Sequence, residues 1–282
     1  MSTQTLLVDS LNTRWDKYNL ELKTCHHEFS EEAVHDFRVA LRRLLAFLDL
    51  LRQIMQDPRI QKVRRILKDQ LDDLDDLRDI QALLADLSEI MHEAPALHPF
   101  QEYLQHKEKH LMRVAHKEIK SLKTASLSKR IQKINKSIEA LKEIDLDTNL
   151  FSAVDEAFAV VIQRYALIDS SQPATIHRLR IAFKKFRYMI EVIHPALQNP
   201  APEYLKKLHD YQAAMGDIQD MQVALQELAD FGELAPASYD PQPALSYYKE
   251  RHASALLSYI EDKGEVVTFW RNALDQSFPQ EN

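Results

Sequence analysis

His177-Arg-Leu-Arg180-Ile-Ala-Phe-Lys184-Lys185-Phe-Arg187-Tyr188 repeats an earlier stretch of the same chain, His35-Asp-Phe-Arg38-Val-Ala-Leu-Arg42-Arg43-Leu-Leu, at an offset of 142 positions. Neither copy contains Gly or Pro, and apolar residues recur at i, i+3, i+4 and i+7. This spacing predicts that both copies form amphipathic helices. At about 100° per residue, the His and most of the basic residues of each copy fall on one face and most of the apolar residues on the opposite face. The pattern therefore predicts two helices, each with a row of positive charge and a buried face.

The composition favours an all-α protein. Only 3 of the 282 residues are Gly, which argues against tight-turned β structure and against phosphate loops built on Gly-rich backbone. Cys25 is the single cysteine and cannot form an internal disulfide, which fits a reducing compartment. No apolar run approaches the roughly 18–20 residues that span a bilayer, and the N-terminus lacks a signal-peptide pattern. The sequence therefore predicts a cytoplasmic protein without a membrane segment.

The charges of the chain are segregated. The net charge is −7, which disfavours a general nucleic-acid binder. Nevertheless, residues 178–187 contain five Lys or Arg and no acid, whereas residues 69–79 contain six Asp and one Arg. An acidic protein with concentrated basic faces is more typical of a specific anion site than of a generally adhesive surface.

The repeat extends beyond the basic helices and predicts an internal duplication. Leu74-Asp-Asp-Leu-Arg-Asp79 matches Met215-Gly-Asp-Ile-Gln-Asp220 at an offset of 141, so the two halves agree in register to one residue. We expect two pseudo-symmetric four-helix bundles, residues 1–145 and 146–282, with Asp145–Asn149 as the boundary between them. Helices are predicted over about residues 5–28, 31–57, 59–91, 100–122, 126–144, 151–168, 174–193, 203–231, 244–262 and 265–274.

The double motif resembles the conserved histidine α-helical domain (CHAD) family, and the resemblance covers nearly the whole chain. It implies two four-helix bundles that enclose a basic channel for inorganic polyphosphate. The motif positions that it assigns to binding are His35, Arg38, Arg42, Arg43, His177, Arg180, Lys184, Lys185, Arg187 and Tyr188. Two positions depart from the family pattern. Leu45 replaces a basic residue, and Asp75 stands where the second half has Gly216, so we expect the His177 helix to be the stronger half of the site.

The residue types suit a polyanion. Arg engages phosphate oxygens with two parallel hydrogen bonds, and Lys acts as a point charge. Because the motif contains no nucleophile, we expect a binding module without catalysis, cofactor or metal ligands. The two histidines either contact the anion directly or orient an arginine. Further candidates come from the third and fourth helices of the halves, namely Arg65, Lys68, Arg78, Arg113, Lys206 and His209.

Two other functions stay open from the sequence. Asp72-Asp73-Leu-Asp75-Asp76 satisfies Asp-Asp-x-x-Asp, and Gly216-Asp217-Ile-Gln-Asp220 is a degenerate second copy. The pair resembles the magnesium-binding motifs of isoprenoid synthases, in which carboxylates hold Mg²⁺ against a diphosphate. Alternatively, the basic faces bind RNA or a partner protein. We expect inorganic polyphosphate as the partner, in the cytoplasm and at polyphosphate granules, and the oligomeric state is left open.

Overall fold

The computed structural model describes residues 2–92, 95–197, 200–235 and 239–271, and within these ranges it contains α-helices and short 3-10 helices but no strand. The predicted all-α class is therefore confirmed. The α-helices are α1 Thr3–His27, α2 Glu31–Ile54, α3 Pro58–Asp72, α4 Asp75–Ile90, α5 His98–Ser121, α6 Ala125–Glu139, α7 Glu143–Tyr165, α8 Ala174–Ile193, α9 Tyr204–Leu234 and α10 Gln242–Asp262. The 3-10 helices are Pro95–Leu97, His194–Ala196 and Lys263–Thr268.

Local sequence signals set both ends of the first basic helix. The Ser30 side chain accepts a hydrogen bond from the backbone N–H of Ala33 and caps α2, whose first turn carries Glu31 and Glu32. The helix ends at Ile54, and α3 begins at Pro58 after an Asp57 cap that accepts from the backbone of Arg59 at 2.8 Å. Pro at the first helical position leaves no donor unsatisfied, so the α2–α3 hairpin is encoded locally.

The prediction of one long third helix over 59–91 is wrong, because two helices, α3 and α4, occupy this range. A turn at Asp73 and Leu74 separates them, and the backbone N–H of Leu74 bonds to Leu71 with the tighter i−3 spacing. The break contains neither Gly nor Pro. The side chain of Arg38 stabilises it from outside by donating to the carbonyl of Leu71 at 3.3 Å, a contact that no local pattern reveals.

Two further predicted boundaries are corrected. Residues 145–149 are not a connector, because α7 begins at Glu143 and runs through them. The helix predicted over 265–274 is instead a 3-10 helix that ends at Thr268, where Phe269 and Trp270 turn into the core. Residues 272–274 of that prediction lie outside the described residues.

The buried residues of both halves form a common core. The main cluster joins the apolar faces of α2 and α8, represented by Leu41 and Phe183, with residues from all the other α-helices. A second cluster packs α4 and α5 against α9 and α10, around Phe100, Leu228 and Tyr248. Both clusters therefore cross the division at residue 145, and the two-bundle division and its pseudo-symmetry stay predictions.

The hairpins α2–α3 and α7–α8 position the candidate site. The repeated helices α2 and α8 pack against each other, and α2 also packs on α7. The apolar row of α8 is buried as predicted, with Leu179, Phe183 and Phe186 at 0% exposure, so the basic row of this helix is held at the edge of the core. None of the helices in the described ranges combines the length and apolarity that crossing a membrane requires.

Candidate anion-binding pocket

A cavity of about 530 Å³ lies between the α2–α3 hairpin and the α7–α8 hairpin. Seven basic side chains and two carboxylates line it, so the cavity is strongly positive although the whole chain is negative. The basic residues are Arg42, Arg64, Lys68, Arg164, Arg178, Lys184 and Lys185, and the acidic ones are Asp49 and Asp72. This concentration of charge makes the cavity the strongest candidate for an anion site among the described residues.

The cations on the α2–α3 side of the pocket are each near a carboxylate. Arg64 donates to Asp49 at 2.5 Å, and Lys68 donates to Asp72 at 2.5 Å. Arg42 lies 4.0 Å from the carboxylate of Asp75. The charge of this side is therefore largely compensated within the protein.

The cations on the α7–α8 side have no such partner. Within the part of the chain that the structure describes, no carboxylate oxygen lies within 4.0 Å of Arg164, Arg178, Lys184 or Lys185. Arg164 comes from α7 and the other three from α8, where Arg178 and Lys185 are seven residues apart and so lie on the same face about two turns from each other. The uncompensated positive charge of the pocket is thus concentrated on the wall from the second half of the chain.

Lys184 lies among three arginines. Burial, together with the charges of Arg42, Arg180 and Arg38, lowers the pKa of Lys184 to about 7, and Asp75 opposes this effect only weakly. The four cations come equally from the two copies of the repeat, since α2 supplies Arg38 and Arg42 and α8 supplies Arg180 and Lys184. The structure therefore brings the basic rows of both copies together at Lys184.

The corresponding arginines of the two copies have different surroundings. Arg38 is only 2% exposed, and its Nη2 lies 2.7 Å from the carboxylate of Asp75. Arg180 instead faces Gly216, where an added Cβ would be 3.7 Å from its Nη2. Burial lowers the pKa of Arg180, with Asp220 as the main opposing charge. Arg38 was expected on an open basic row, and the structure makes it a buried member of an ion pair with the α3–α4 turn.

Arg43 and Arg187 share one carboxylate between the repeated helices. The Arg43 Nε lies 3.7 Å from Glu191, and the Arg187 Nη1 lies 3.0 Å from the other oxygen of the same residue. Arg187 also donates to Gln212 at 2.9 Å and lies over the ring of Tyr188 at 4.6 Å. These contacts tie α2, α8 and α9 together, and of these three predicted residues only Tyr188 lines the pocket.

Of the predicted site residues, the structure brings five into the lining, namely Arg42, Lys68, Lys184, Lys185 and Tyr188. His177 is half-buried on α8 with its Nδ1 enclosed and without a hydrogen-bond partner, and His35 is exposed on α2. The secondary candidates outside the lining are Arg65, Arg78, Arg113, Lys206 and His209. Lys206 pairs with Asp210 at 2.6 Å and Arg113 donates to the carbonyl of Lys109, and both are exposed side chains with partners on their own helices.

Sequence reasoning missed three cations of the lining, Arg64, Arg164 and Arg178. Arg178 lies inside the repeated motif, three residues before the exposed Ile181, so its position on the helix was a usable signal. Arg164 follows no motif, and only the packing of α7 beside α8 brings it to the pocket.

The Asp-rich motif is divided between two helices and engaged by basic side chains. Asp72 ends α3 and pairs with Lys68, whereas Asp75 opens α4 and pairs with Arg38. Within the described ranges, no group of three or more His, Cys, Asp or Glu side chains has the arrangement to hold a metal ion. The carboxylates therefore balance the basic helices in this structure.

The fold and the pocket define an all-α helical-bundle protein with a basic cavity between two hairpins. The sequence matches the family model of the CHAD domain over residues 13–229, which is more than half of the chain. The chain therefore belongs to the CHAD domain family. The fold is similar to the crystal structure of the CHAD domain from the plant Ricinus communis, with a TM-score of 0.69 and 18% identity over 95% of this chain and 90% of that chain. No curated protein matches this sequence.

Proposed function

We propose that this CHAD domain binds inorganic polyphosphate in the pocket between the α2–α3 and α7–α8 hairpins, without catalysis. The observation that carries the proposal is the wall of four cations on α7 and α8, none of which has a carboxylate oxygen within 4.0 Å among the described residues. Within this wall, Lys184 is buried beside three arginines, and burial together with their charges lowers its pKa to about 7. A bound polyanion would relieve this repulsion, whereas a neutral ligand would not.

The chemistry of the pocket matches the chemistry of the ligand. Polyphosphate presents only anionic oxygens, so recognition rests on guanidinium forks and ammonium charges. Arg164 and Arg178 supply planar donors, and Lys184 and Lys185 supply point charges. Binding of this type releases counterions and therefore weakens steeply as salt increases.

The test is a titration with long-chain polyphosphate and with single-stranded RNA of matched charge and a 5′-hydroxyl end, each at two salt concentrations. We expect polyphosphate to bind more tightly at both concentrations, and to weaken at the higher one. Equal or tighter RNA binding would overturn the specificity for polyphosphate. Turnover of an allylic diphosphate with Mg²⁺ that is lost in Asp72→Ala would instead establish the isoprenoid alternative.

A matched pair of variants locates the site. The double change Arg178→Gln and Lys185→Gln removes two unpaired charges from the pocket, and we expect it to lower the polyphosphate affinity by about tenfold or more. Arg113→Gln removes an exposed cation on α5 outside the pocket, and we expect a change within about twofold. Equal losses in both proteins would place the binding on the general surface.

The same ligand determines where the protein should be found. We infer a cytoplasmic protein that collects at polyphosphate granules. A fluorescent fusion should colocalise with stained granules, and the Arg178→Gln/Lys185→Gln variant should spread through the cell. Granule localisation that is unchanged in this variant would contradict the pocket as the determinant.

A further inference from the structure

Part of the pocket surface is apolar and open to water. Ile181 is 55% exposed and Val160 is 42% exposed, and both line the cavity. Cations flank them at helical spacing, because Arg164 follows Val160 by four residues while Arg178 precedes Ile181 by three and Lys185 follows it by four. Two exposed aliphatic side chains are therefore framed by the uncompensated charges of the α7–α8 wall.

The α2–α3 side adds a second apolar surface. Leu45, Ala46 and Leu71 line the cavity there, with Leu45 and Ala46 mostly buried at 8% and 7% exposure. At the offset of 142, Leu45 and Ala46 correspond to Arg187 and Tyr188 of the second copy, so a bulky cation and an aromatic ring are replaced by smaller apolar groups. The cavity thus has apolar groups on two facing sides and positive charge around them.

Inorganic polyphosphate leaves this apolar surface without a partner, because every exposed atom of that chain is a phosphate oxygen or phosphorus. Covering Ile181 and Val160 requires an apolar group on the ligand, and its burial is favourable in proportion to the area removed from water. We propose that the pocket binds a nucleoside polyphosphate, with its phosphates on the α7–α8 cations and its base between the two apolar surfaces. The inference rests on the proposed anion site and names a second ligand class for it.

Three features favour a nucleobase as the apolar part. The cavity volume of about 530 Å³ lies within the roughly 300–1,000 Å³ that small-molecule sites occupy. Asp49 and Asp72 line the same cavity and can accept hydrogen bonds from the amino group of a base. Tyr188 also lines the cavity, and its aromatic ring has the Arg187 guanidinium over it at 4.6 Å from the centroid.

A membrane surface carrying phosphate headgroups fits the geometry less well. Insertion into a bilayer needs apolar side chains that project from one face of the molecule. Ile181 and Val160 instead face a cavity bounded by four helices, α2, α3, α7 and α8. A ligand that enters the cavity can cover them, whereas a flat lipid surface cannot reach both sides.

The test compares ATP with inorganic tripolyphosphate by isothermal titration calorimetry in magnesium-free buffer. Tripolyphosphate has the same three-phosphate chain and one more ionisable oxygen, so charge alone would make it the tighter ligand. We expect ATP to bind about tenfold more tightly, because its base covers the apolar surfaces. Equal affinities, or tighter binding of tripolyphosphate, would overturn the inference.

Variants of the exposed aliphatic residues test the location. Ile181→Ser with Val160→Ser should lower the ATP affinity about fivefold and leave the tripolyphosphate affinity within about twofold. Leu257→Ser changes a residue that is 66% exposed on α10 and does not line the pocket, and should alter neither affinity. A parallel loss for both ligands in the double variant would contradict a base-binding surface.

Long-chain polyphosphate separates this inference from the proposed function. Suppose that long-chain polyphosphate binding depends on Arg178 and Lys185 but that ATP binds no more tightly than tripolyphosphate. The nucleotide inference is then wrong, and the polyphosphate proposal is supported. If the protein binds ATP more tightly than tripolyphosphate and does not bind long-chain polyphosphate, the nucleotide inference is supported and the polyphosphate proposal is wrong.

Discussion

The Arg38 guanidinium of α2 reaches the turn between α3 and α4, where its Nη2 lies 2.7 Å from Oδ1 of Asp75. In the second half, Arg180 occupies the corresponding position of the motif, and Gly216 takes the place of the carboxylate. The motif arginine therefore has a carboxylate partner in the first copy, whereas in the second copy no carboxylate of the described residues lies within 4.0 Å of it. This difference in charge compensation leads to the first two predictions.

Asp75→Asn should destabilise the fold. Arg38 is 2% exposed, so the change leaves a buried charge without its counterion. We expect a loss of about 2–3 kcal/mol in the free energy of unfolding, below the ~3–5 kcal/mol of a fully buried pair because Asp75 is itself half-exposed. Urea denaturation of the wild-type and variant proteins measures this loss of stability. Asp210→Asn breaks the exposed pair with Lys206 and should leave the free energy of unfolding nearly unchanged. Equal losses would show that the Arg38 pair has no structural importance.

Gly216→Asp should weaken anion binding by placing a carboxylate beside Arg180, whose charge acts on the pocket residue Lys184 although Arg180 itself does not line the pocket. An added Cβ at position 216 lies 3.7 Å from the Arg180 guanidinium, so a carboxylate there can pair with it. We expect the polyphosphate affinity to fall by about fivefold, or ~1 kcal/mol. Gly216→Asn has the same size without the charge and should stay within about twofold. An equal effect of both substitutions would attribute the loss to volume.

Gly216→Ala tests the helix by itself. Gly216 lies within α9, and an added Cβ makes only ordinary van der Waals contact with Arg180 at 3.7 Å. Replacing a helical Gly by Ala removes backbone freedom from the unfolded chain, so we expect a gain of about 0.5–1 kcal/mol in thermal denaturation. Gly232→Ala, near the end of α9 and with nothing within 4 Å, should stabilise by less. A loss of stability in Gly216→Ala would mean that Arg180 needs the space above this glycine.

The stability contributed at Lys184 should depend on pH in a defined direction. Its pKa falls from 10.5 in the unfolded chain to about 7 in the fold, so between these values the unfolded state binds more protons. Stability therefore rises with pH across about 7 to 10.5, and the full penalty of burying the charge is present below pH 7. Lys184→Met should accordingly stabilise the protein most at pH 6, and the gain should disappear near pH 10.5. Denaturation at several pH values measures this, and a gain that is constant with pH would contradict the assignment.

Anion binding should respond to the same group with the opposite sign. A bound polyphosphate favours charged Lys184, so binding takes up protons above pH 7 and the affinity falls as pH rises from 6 to 9. Calorimetry in two buffers of different ionisation enthalpy measures the proton uptake directly. Lys184→Met should remove that uptake while Arg113→Gln retains it, and uptake that persists in Lys184→Met would assign it to another group.

Much of the helical structure could be predicted because its signals are local. The 3.6-residue period fixed the buried face of α8, and Ser30 fixed the start of α2. The α3–α4 break could not be predicted in this way, since Asp73 and Leu74 carry no Gly or Pro. A side chain from another helix, Arg38, holds that turn, and sequence spacing contains no information on such a contact.

The candidate site shows the same limit. The rows of the repeated motif identified Arg42, Lys184 and Lys185, which line the pocket. Arg164 was not predicted because it belongs to no repeat, and Arg113 lies outside the lining because local charge density does not reveal which way a helix faces. Membership of a pocket depends on which helices become neighbours, and that is settled only when the apolar faces pack.

The sequence by itself determined that two copies of one amphipathic helix exist, with cations on one face and apolar residues on the other. Helix periodicity is a property of a single segment, so a single segment is sufficient to encode it. Only the tertiary structure decided which of those cations keep uncompensated charge. Neutralisation depends on distances between different helices, so Arg38 becomes a buried partner of Asp75, while Lys184 lines the pocket without a carboxylate within 4.0 Å among the described residues.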